Sequence, residues 1–474
     1  MASAQSGSDE HKARILETAQ RARQAGLLLA KSSNSARSSA LNALSERLSA
    51  AEHKDALLAA NKKDTDAAVE NKLSSALANR LDLSAKLDGV LKGVRDIADG
   101  PDPLGKRSLH KELADGLTLQ RVTTPIGVLC IIFESRPDAA LQIGSLCIKS
   151  GNAVLLKGGK EAAASNAAIV DAFRASLESQ GLPADAVQLV SSREDVSALL
   201  AMDEYIDLVI PRGSKSLVRH IQANTRIPVL GHADGICSIY LHDDACTLPS
   251  DDVNALLIDA KTQYAAACNA METILLHPTT VRDGTWAAAA AALAAKGVTM
   301  LCDADSLAAA SAAGVAAAPP SVDGSTTRPA GGVEAAPVDA YDTEYLGWTV
   351  AVKVVPGGVE EAVAHINEHG SGHTDCILTQ NADAAEGFKA GVASASAFVN
   401  ASTRFADGQR YGFGAELGIS TGRIHARGPV GLEGMVTYKY LLDSKGAMGV
   451  PALSWVGQFS GDSARAYTHV DKEA

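Results

Sequence analysis

Val128–Phe133, Ala153–Leu156, Val187–Val190, Leu208–Ile210 and Ile236–Leu241 are short, almost unbroken apolar runs, each parted from the next by a segment of helical length. A strand with one wet face alternates polar and apolar residues, so runs without alternation are covered on both faces. Such strands alternating with helices predict a doubly covered parallel α/β sheet. After Asp251 a second α/β region is expected, with strands at Thr273–Leu276, Thr299–Leu301, Val350–Val355, Cys376–Leu378 and Ala397–Val399. Ahead of both, residues 10–98 repeat apolar positions at helical spacing, as in Leu87, Val90, Leu91 and Val94, until Asp99-Gly100-Pro101 stops them. Asp115-Gly116 between β-rich runs signals a hairpin over 110–124. A strand is expected near Met435–Leu442, then a loosely ordered tail from 446. Ala316–Pro337, which holds four of the chain's sixteen prolines, reads as a surface loop. The implied organisation is a cofactor-binding domain over 1–250, a catalytic domain over 251–430, and an oligomerisation strand with tail over 431–474.

Composition removes several classes of function. The longest uncharged apolar run, Trp286–Ala295, is ten residues of the 474, half of the ~20 that a membrane-spanning helix needs. Forty-three basic against 55 acidic residues give a net charge of −12, with no basic face for nucleic acid. No two of the seven cysteines lie closer than nine positions, so there is no CxxC. A scattered, odd set implies reduced thiols and a cytoplasmic setting. The first residues lack the apolar core of a secretory signal, and Asp9 and Glu10 argue against a transit peptide.

Three places could carry chemistry. Cys268, in Gln263-Tyr264-Ala265-Ala266-Ala267-Cys268-Asn269, follows small residues that leave a substrate carbon room to reach the sulfur. A backbone amide and the Asn269 amide stand ready for an oxyanion. The plainer reading is a small buried hydrophobe, and that reading is kept for the other six cysteines. Lys157-Gly158-Gly159-Lys160 ends a strand and opens a helix, a setting for ribose or phosphate or for a plain turn with solvated lysines. Arg212-Gly213-Ser214 repeats that arrangement. There is no GxGxxG, Walker loop or HExxH. His369 and His373 stand four apart, but Gly370 and Gly372 interrupt any helix between them, so no metal site is expected.

Longer motifs carry a resemblance. They are Pro125 through Glu134-Ser135-Arg136-Pro137-Asp138, Lys149 through Lys157 and Lys160, the block Val359–Ile377 with His365, His373 and Asp375, and Asn400 through Ser402, Arg404, Glu416 and Ser420. Over roughly residues 10–443 the chain resembles the γ-glutamyl phosphate reductases, or glutamate-5-semialdehyde dehydrogenases, of the aldehyde dehydrogenase superfamily. The resemblance implies a Rossmann-like cofactor domain, an α/β catalytic domain, and a β-flap joining the subunits of a homo-oligomer. It implies NADPH-dependent reduction of L-glutamyl 5-phosphate to L-glutamate 5-semialdehyde in proline biosynthesis, through a cysteine thioester. Glutamate kinase is the expected partner.

By the same resemblance Cys268 falls on the superfamily's nucleophile, Lys157 on the lysine at the adenosine ribose, and Arg212-Gly213-Ser214 on the turn at the pyrophosphate. Glu344 falls on the glutamate at the nicotinamide ribose. Ser135, Arg136, Ser402, Arg404 and Glu416 are the expected substrate contacts. Hydrolytic relatives use a glutamate as base for water, yet here the matching block is Gly231-His232-Ala233-Asp234-Gly235. Where they place an oxyanion-binding asparagine, Glu134-Ser135-Arg136 stands. Lys160 occupies a position often acidic in NAD users, and a cation there suits the 2′-phosphate of NADP. The rival readings are an NAD-dependent hydrolytic aldehyde dehydrogenase, which the missing glutamate disfavours, and a non-catalytic partner of glutamate kinase, which would have no need of Cys268.

Overall fold

The structure is a computed structural model that describes residues 2–73, 79–114, 116–134, 136–318, 331–444 and 468–472. It divides into two compact units: Met1–Gly213 with Leu217–Leu230 and Gly431–Ala474, and Ser214–Ser216 with Gly231–Val430.

The first unit opens with the expected helices, Ala2–Leu29, Asn34–Ser49, Ala51–Glu70 and Leu87–Asp99. The last buries Leu87, Val90, Leu91, Val94 and Ile97 along one face, which is why a 3.6-residue period is legible in its sequence. Strands β1 (Arg107–Ala114) and β2 (Leu117–Pro125) form the hairpin, with Ala114 opposite Leu117 and Gly116 at φ 75. Strands β3 (Val128–Phe133), β4 (Ala153–Lys157), β5 (Val187–Leu189) and β6 (Leu208–Arg212) make a parallel sheet in the order β5-β4-β3-β6. Every residue of β3 is buried, as an unalternating strand requires.

The second unit holds a seven-stranded parallel sheet. Its strands are β7 (Cys237–Leu241), β8 (Met271–Leu276), β9 (Thr299–Cys302), β10 (Gly332–Ala335), β11 (Thr349–Val354), β12 (Thr374–Leu378) and β13 (Ser396–Val399), in the order β10-β9-β11-β8-β7-β12-β13. A short antiparallel pair, β14 (Gly418–Ser420) and β15 (Gly428–Val430), follows. Two strands, β16 (Val436–Ser444) and β17 (Val470–Asp471), belong to the first unit and complete a β16-β2-β1-β17 sheet.

Three boundaries differ from expectation. The run Ile236–Leu241 does not extend the first sheet; as β7 it lies inside the second, between β8 and β12. The compact units therefore part at Gly231 rather than at 250, and 431–444 folds with the first unit. An apolar strand carries no label for the sheet that covers it. The segment read as loop, Ala316–Pro337, contains β10, whose Val333 is buried and pairs with Met300; residues 319–330 lie outside the described ones. In the tail, β17 pairs with β1 through Glu112–Val470 and Lys111–Asp471. Among the described residues no helix is long and apolar enough to cross a membrane.

Candidate active site

Cys268 sits half-buried in the turn between the helix Ser250–Thr262 and β8. The 231–235 loop lies directly on it. A Cβ at Gly235 would fall 2.2 Å from the Cys268 carbonyl oxygen and 2.7 Å from its Cβ, so no other residue fits at 235 without moving the turn. The buried Cys237 thiol donates to the same carbonyl at 3.4 Å. Of the other cysteines, 130, 147, 237, 302 and 376 are buried as expected, and burial pushes the Cys130, Cys302 and Cys376 thiols up to about 12. Cys246 departs from the expected core placement: it is exposed on the turn Ala245–Thr247.

Glu344 is half-buried, and its carboxylate accepts from the backbone amide of Gly235; burial, the largest effect, raises its pKa. Lys215 pairs with Asp234 at 2.5 Å on the same loop. Beneath lies an ion pair that sequence reasoning missed. Lys261 and Glu272, both fully buried, meet at 2.7 Å, and Glu272 also accepts from the backbone amides of Tyr345 and Leu346. Leu346 has φ 51, a conformation rare outside glycine, so the buried carboxylate holds a strained turn two residues past Glu344. Burial pushes Glu272 up to about 7, while Lys261 opposes the shift. The available signal was a charged residue as the second position of an otherwise apolar strand.

The expected substrate contacts separate once placed. Arg404 is half-buried, its Nε donates to Gln263 Oε1 at 2.8 Å, and its guanidinium lies over Tyr264, 5.9 Å from the ring centre. It therefore faces the turn that carries Cys268; burial first and the neighbouring Arg410 second lower its pKa, and Cys268 opposes that shift. Ser402 is buried and caps the Thr403–Phe405 turn by accepting from the Arg404 amide. Glu416 accepts from the Gly408 amide at 2.8 Å. Asn269 is buried, and its Nδ2 donates to the Ala406 carbonyl at 2.9 Å. That bond pins the 403–406 turn to the Cys268 turn and uses one of the two amide hydrogens.

Across the Cys268 turn stand two histidines. His232 Nδ1 bonds the Ile419 carbonyl oxygen at 2.7 Å, and its ring meets His373 edge-on at 5.6 Å. His373 is fully buried, with Nδ1 2.8 Å from Thr374 Oγ1. Asp375, two residues on, accepts from the Ser238 amide at 2.6 Å and from the Ser394 hydroxyl, tying β12 to β7 and to the 394 turn.

In the first unit, the C-terminal ends of β4 and β6 carry Lys157, Arg212 and Gly213, with Lys160 just beyond β4. Such strand ends are where open parallel sheets bind nucleotides. Lys157 ends β4 half-buried, and Lys160 is exposed on the turn Lys160–Ala162. Arg212 ends β6 opposite Phe133 of β3. A Cβ at Gly213 would meet Glu134 Oε2 at 2.7 Å and Leu217 Cδ2 at 2.8 Å. Ser214 precedes the helix Lys215–Ala223, its Oγ 3.1 Å from Ser216 Oγ. The Lys157–Lys160 turn, read as a setting for ribose or phosphate or as a plain turn, leads into a helix whose N-terminal amides already have a partner. The amides of Ala164 and Ser165, which open the helix Ala163–Ser179, donate to the Asp64 carboxylate at 3.1 and 2.7 Å. An anion is already in place, so the lysines are left for ribose and its substituents. Arg136 pairs with Asp138 at 2.9 Å on its own helix; Ser135 lies outside the described residues.

The profile of the aldehyde dehydrogenase family matches residues 1–296. The chain is 47% identical over 455 residues to the gamma-glutamyl phosphate reductase of Synechococcus elongatus, covering 96% of this chain and 97% of that one. It is 48% identical over 399 residues to a probable gamma-glutamyl phosphate reductase of Schizosaccharomyces pombe, covering 83% and 84%. The crystal structure of gamma-glutamyl phosphate reductase from Thermotoga maritima superposes with a TM-score of 0.83 at 34% identity, covering 91% of this chain and 98% of that one.

Proposed function

The chain belongs to the aldehyde dehydrogenase family, at its γ-glutamyl phosphate reductase branch, and we propose that its reaction runs through a thioester on Cys268. It is a glutamate-5-semialdehyde dehydrogenase, reducing L-glutamyl 5-phosphate to L-glutamate 5-semialdehyde in proline biosynthesis. One observation supports the thioester above the rest: Cys268 is a half-exposed thiol on a turn whose backbone is overlaid by a side-chain-free Gly235.

The Cys268 thiolate forms a C–S bond to the acyl carbon, and phosphate leaves with the electrons of the C–O bond. The Cys268 backbone amide and the second Nδ2 hydrogen of Asn269, whose first is bonded to the Ala406 carbonyl, are the donors assigned to the oxyanion. Arg404, over the same turn, is the cation for the substrate's carboxylate or phosphate. The family uses a nicotinamide cofactor, which when bound supplies the hydride that reduces the thioester. The Arg212-Gly213-Ser214 turn, at the C-terminal end of β6, is the place assigned to the pyrophosphate, and the Glu134 carboxylate packed against Gly213 would have to swing aside to admit it. Lys157 would hold the adenosine ribose, Arg212 and Ser214 the phosphates, and Glu344, whose carboxylate accepts from the Gly235 amide, the nicotinamide ribose. Collapse of the hemithioacetal returns the electrons to sulfur and releases the aldehyde.

Lys160 is exposed beside Lys157, which supports NADPH as the preferred form. Lys160→Glu will weaken NADPH more than NADH. A charge-assisted contact is worth about 1.5–3 kcal/mol, so the preference moves about tenfold to a hundredfold, read as the ratio of kcat/KM for the two. Equal losses would remove Lys160 from the 2′ position.

His232, in place of the hydrolytic glutamate, stands beside Cys268 with its Nδ1 engaged by a carbonyl. Run in reverse with glutamate semialdehyde, turnover will need phosphate to release the acyl group. Phosphate or arsenate will raise steady NADPH formation by about an order of magnitude or more, and His232→Glu will raise the phosphate-independent rate by supplying a base for water. Full turnover of the wild type without phosphate would make this a hydrolytic dehydrogenase.

The outer edge of β16, with Tyr438, Tyr440 and Leu442 exposed, is the surface assigned to a second copy in a homo-oligomer. Seven free cysteines support a reducing, cytoplasmic setting, with glutamate kinase, whose product is this substrate, as the expected partner.

A further inference from the structure

Strands β7, β8 and β12 are adjacent and parallel, so their N-terminal ends meet at one edge of the sheet. His232, Cys268 and His373 stand just ahead of those three strands, and one donor atom from each lies within 4.8 Å of the other two. We propose that these three side chains form a reversible site for a Zn2+-class cation, which caps the thiol when bound.

Two features of the histidines support this. His373 is fully buried, its Nδ1 faces Thr374, and its Nε2 has no hydrogen-bond partner, an expensive state for a buried polar atom that a cation would relieve. His232 directs Nδ1 at a backbone carbonyl, which only accepts, so Nδ1 carries the proton and Nε2 presents its lone pair. That is the usual outer bond of a metal-ligating histidine. One thiolate and two imidazoles select Zn2+ or Co2+ over Mg2+ or Ca2+. A tetrahedral zinc sets such donors roughly 3.3–3.8 Å apart, so donors within 4.8 Å of one another need close by no more than about 1.5 Å, leaving the fourth position to water. Binding exchanges the Cys268 thiol proton, released to solvent, for the metal. The expectation of no metal site rested on His369 and His373 not sharing a helix. They do not, and His369 instead meets Asp342 at 2.9 Å, but the sheet edge gives His373 other neighbours.

The site rests on geometry; its effect on turnover rests on Cys268 being the nucleophile. The test is titration of the full chain, carrying Cys246→Ser to remove the exposed thiol, with Co2+. The expected result is about one equivalent bound with a thiolate-to-cobalt band in the near ultraviolet, displaced by Zn2+ and absent in Cys268→Ser. The oxygen-rich His242, Asp243 and Asp244 group has no thiolate and gives no such band. His232→Ala and His373→Ala will each weaken binding by about tenfold or more, and His232→Ala carries this arm alone if His373→Ala does not fold. Zn2+ will inhibit turnover, and EDTA will restore it. No band, a band surviving Cys268→Ser, or unchanged affinity in the histidine variants overturns the site. A correct band with no inhibition leaves the site and overturns the nucleophile.

Discussion

Cys268→Ala will lower kcat by about four orders of magnitude or more, leaving the fold and nucleotide binding as they were. The effect is this large because no second thiol can take over. Cys130, Cys147, Cys237, Cys302 and Cys376 are buried, and Cys246, though exposed, lies on the Ala245–Thr247 turn where a hydrogen bond to Asp283 raises its pKa. Cys268→Ser will fare little better, since an alkoxide is much harder to form at neutral pH than a thiolate. Single-turnover kinetics with acyl phosphate, beside nucleotide titration by fluorescence, separate chemistry from binding. Retention of more than a few per cent of wild-type kcat by either variant would end the thioester mechanism.

The other large effect is on stability. Lys261→Met will cost about 3–5 kcal/mol, because it leaves the Glu272 carboxylate buried without its cation. Both side chains are fully buried. The loss will be smaller at acid pH. A carboxyl whose folded-state pKa lies above its unfolded value binds more protons when folded, so its destabilisation grows as pH rises from the unfolded value, here 4.5, through the folded one. The double variant Lys261→Met with Glu272→Leu will recover most of the loss, since a well-packed apolar pair avoids the desolvation of two ions. Urea unfolding of the single and double variants at pH 5.5 and 8 measures all of this. Equal stability of the Lys261→Met variant and the wild type at pH 8 would show the pair to be hydrated or dispensable. The same variant should weaken nucleotide binding, because Glu272 holds the Tyr345–Leu346 turn that carries Glu344.

Much of the architecture was legible because one physical signal, burial on both faces, writes itself directly into β3, β4, β6, β8 and β11. It failed where identical signals serve different sheets: β7 is as apolar as β6, and only pairing partners distinguish them. In Ala316–Pro337, proline and glycine content concealed β10, whose neighbouring Gly331 and Gly332 pack closely against Ala294 and Ala318. At the site, the motifs single out Cys268, Asn269, Ser402, Arg404 and Glu416 alike, whereas the hydrogen bonds of Ser402 and Glu416 stay within their own loop and that of Asn269 reaches across to Ala406. Sequence patterns do not separate a residue that touches ligand from one that shapes the turn beside it. Asp64, which closes off a helix N-terminus, comes from a segment with no motif at all.

The pairing of β16 with β2, from Val436 opposite Pro125 to Ser444 opposite Leu117, also sets a schedule for synthesis. The strand that covers this edge of the hairpin is made some 300 residues after the hairpin itself. At ribosomal rates of about 5–20 residues per second, β2 waits on the order of 15–60 s with a row of backbone donors and acceptors open. Throughout that interval the nascent chain offers a template for any passing strand, including the β16 of a finished neighbour. Two ribosomes on one message would thus favour exchange of this strand between chains before either chain closes on itself.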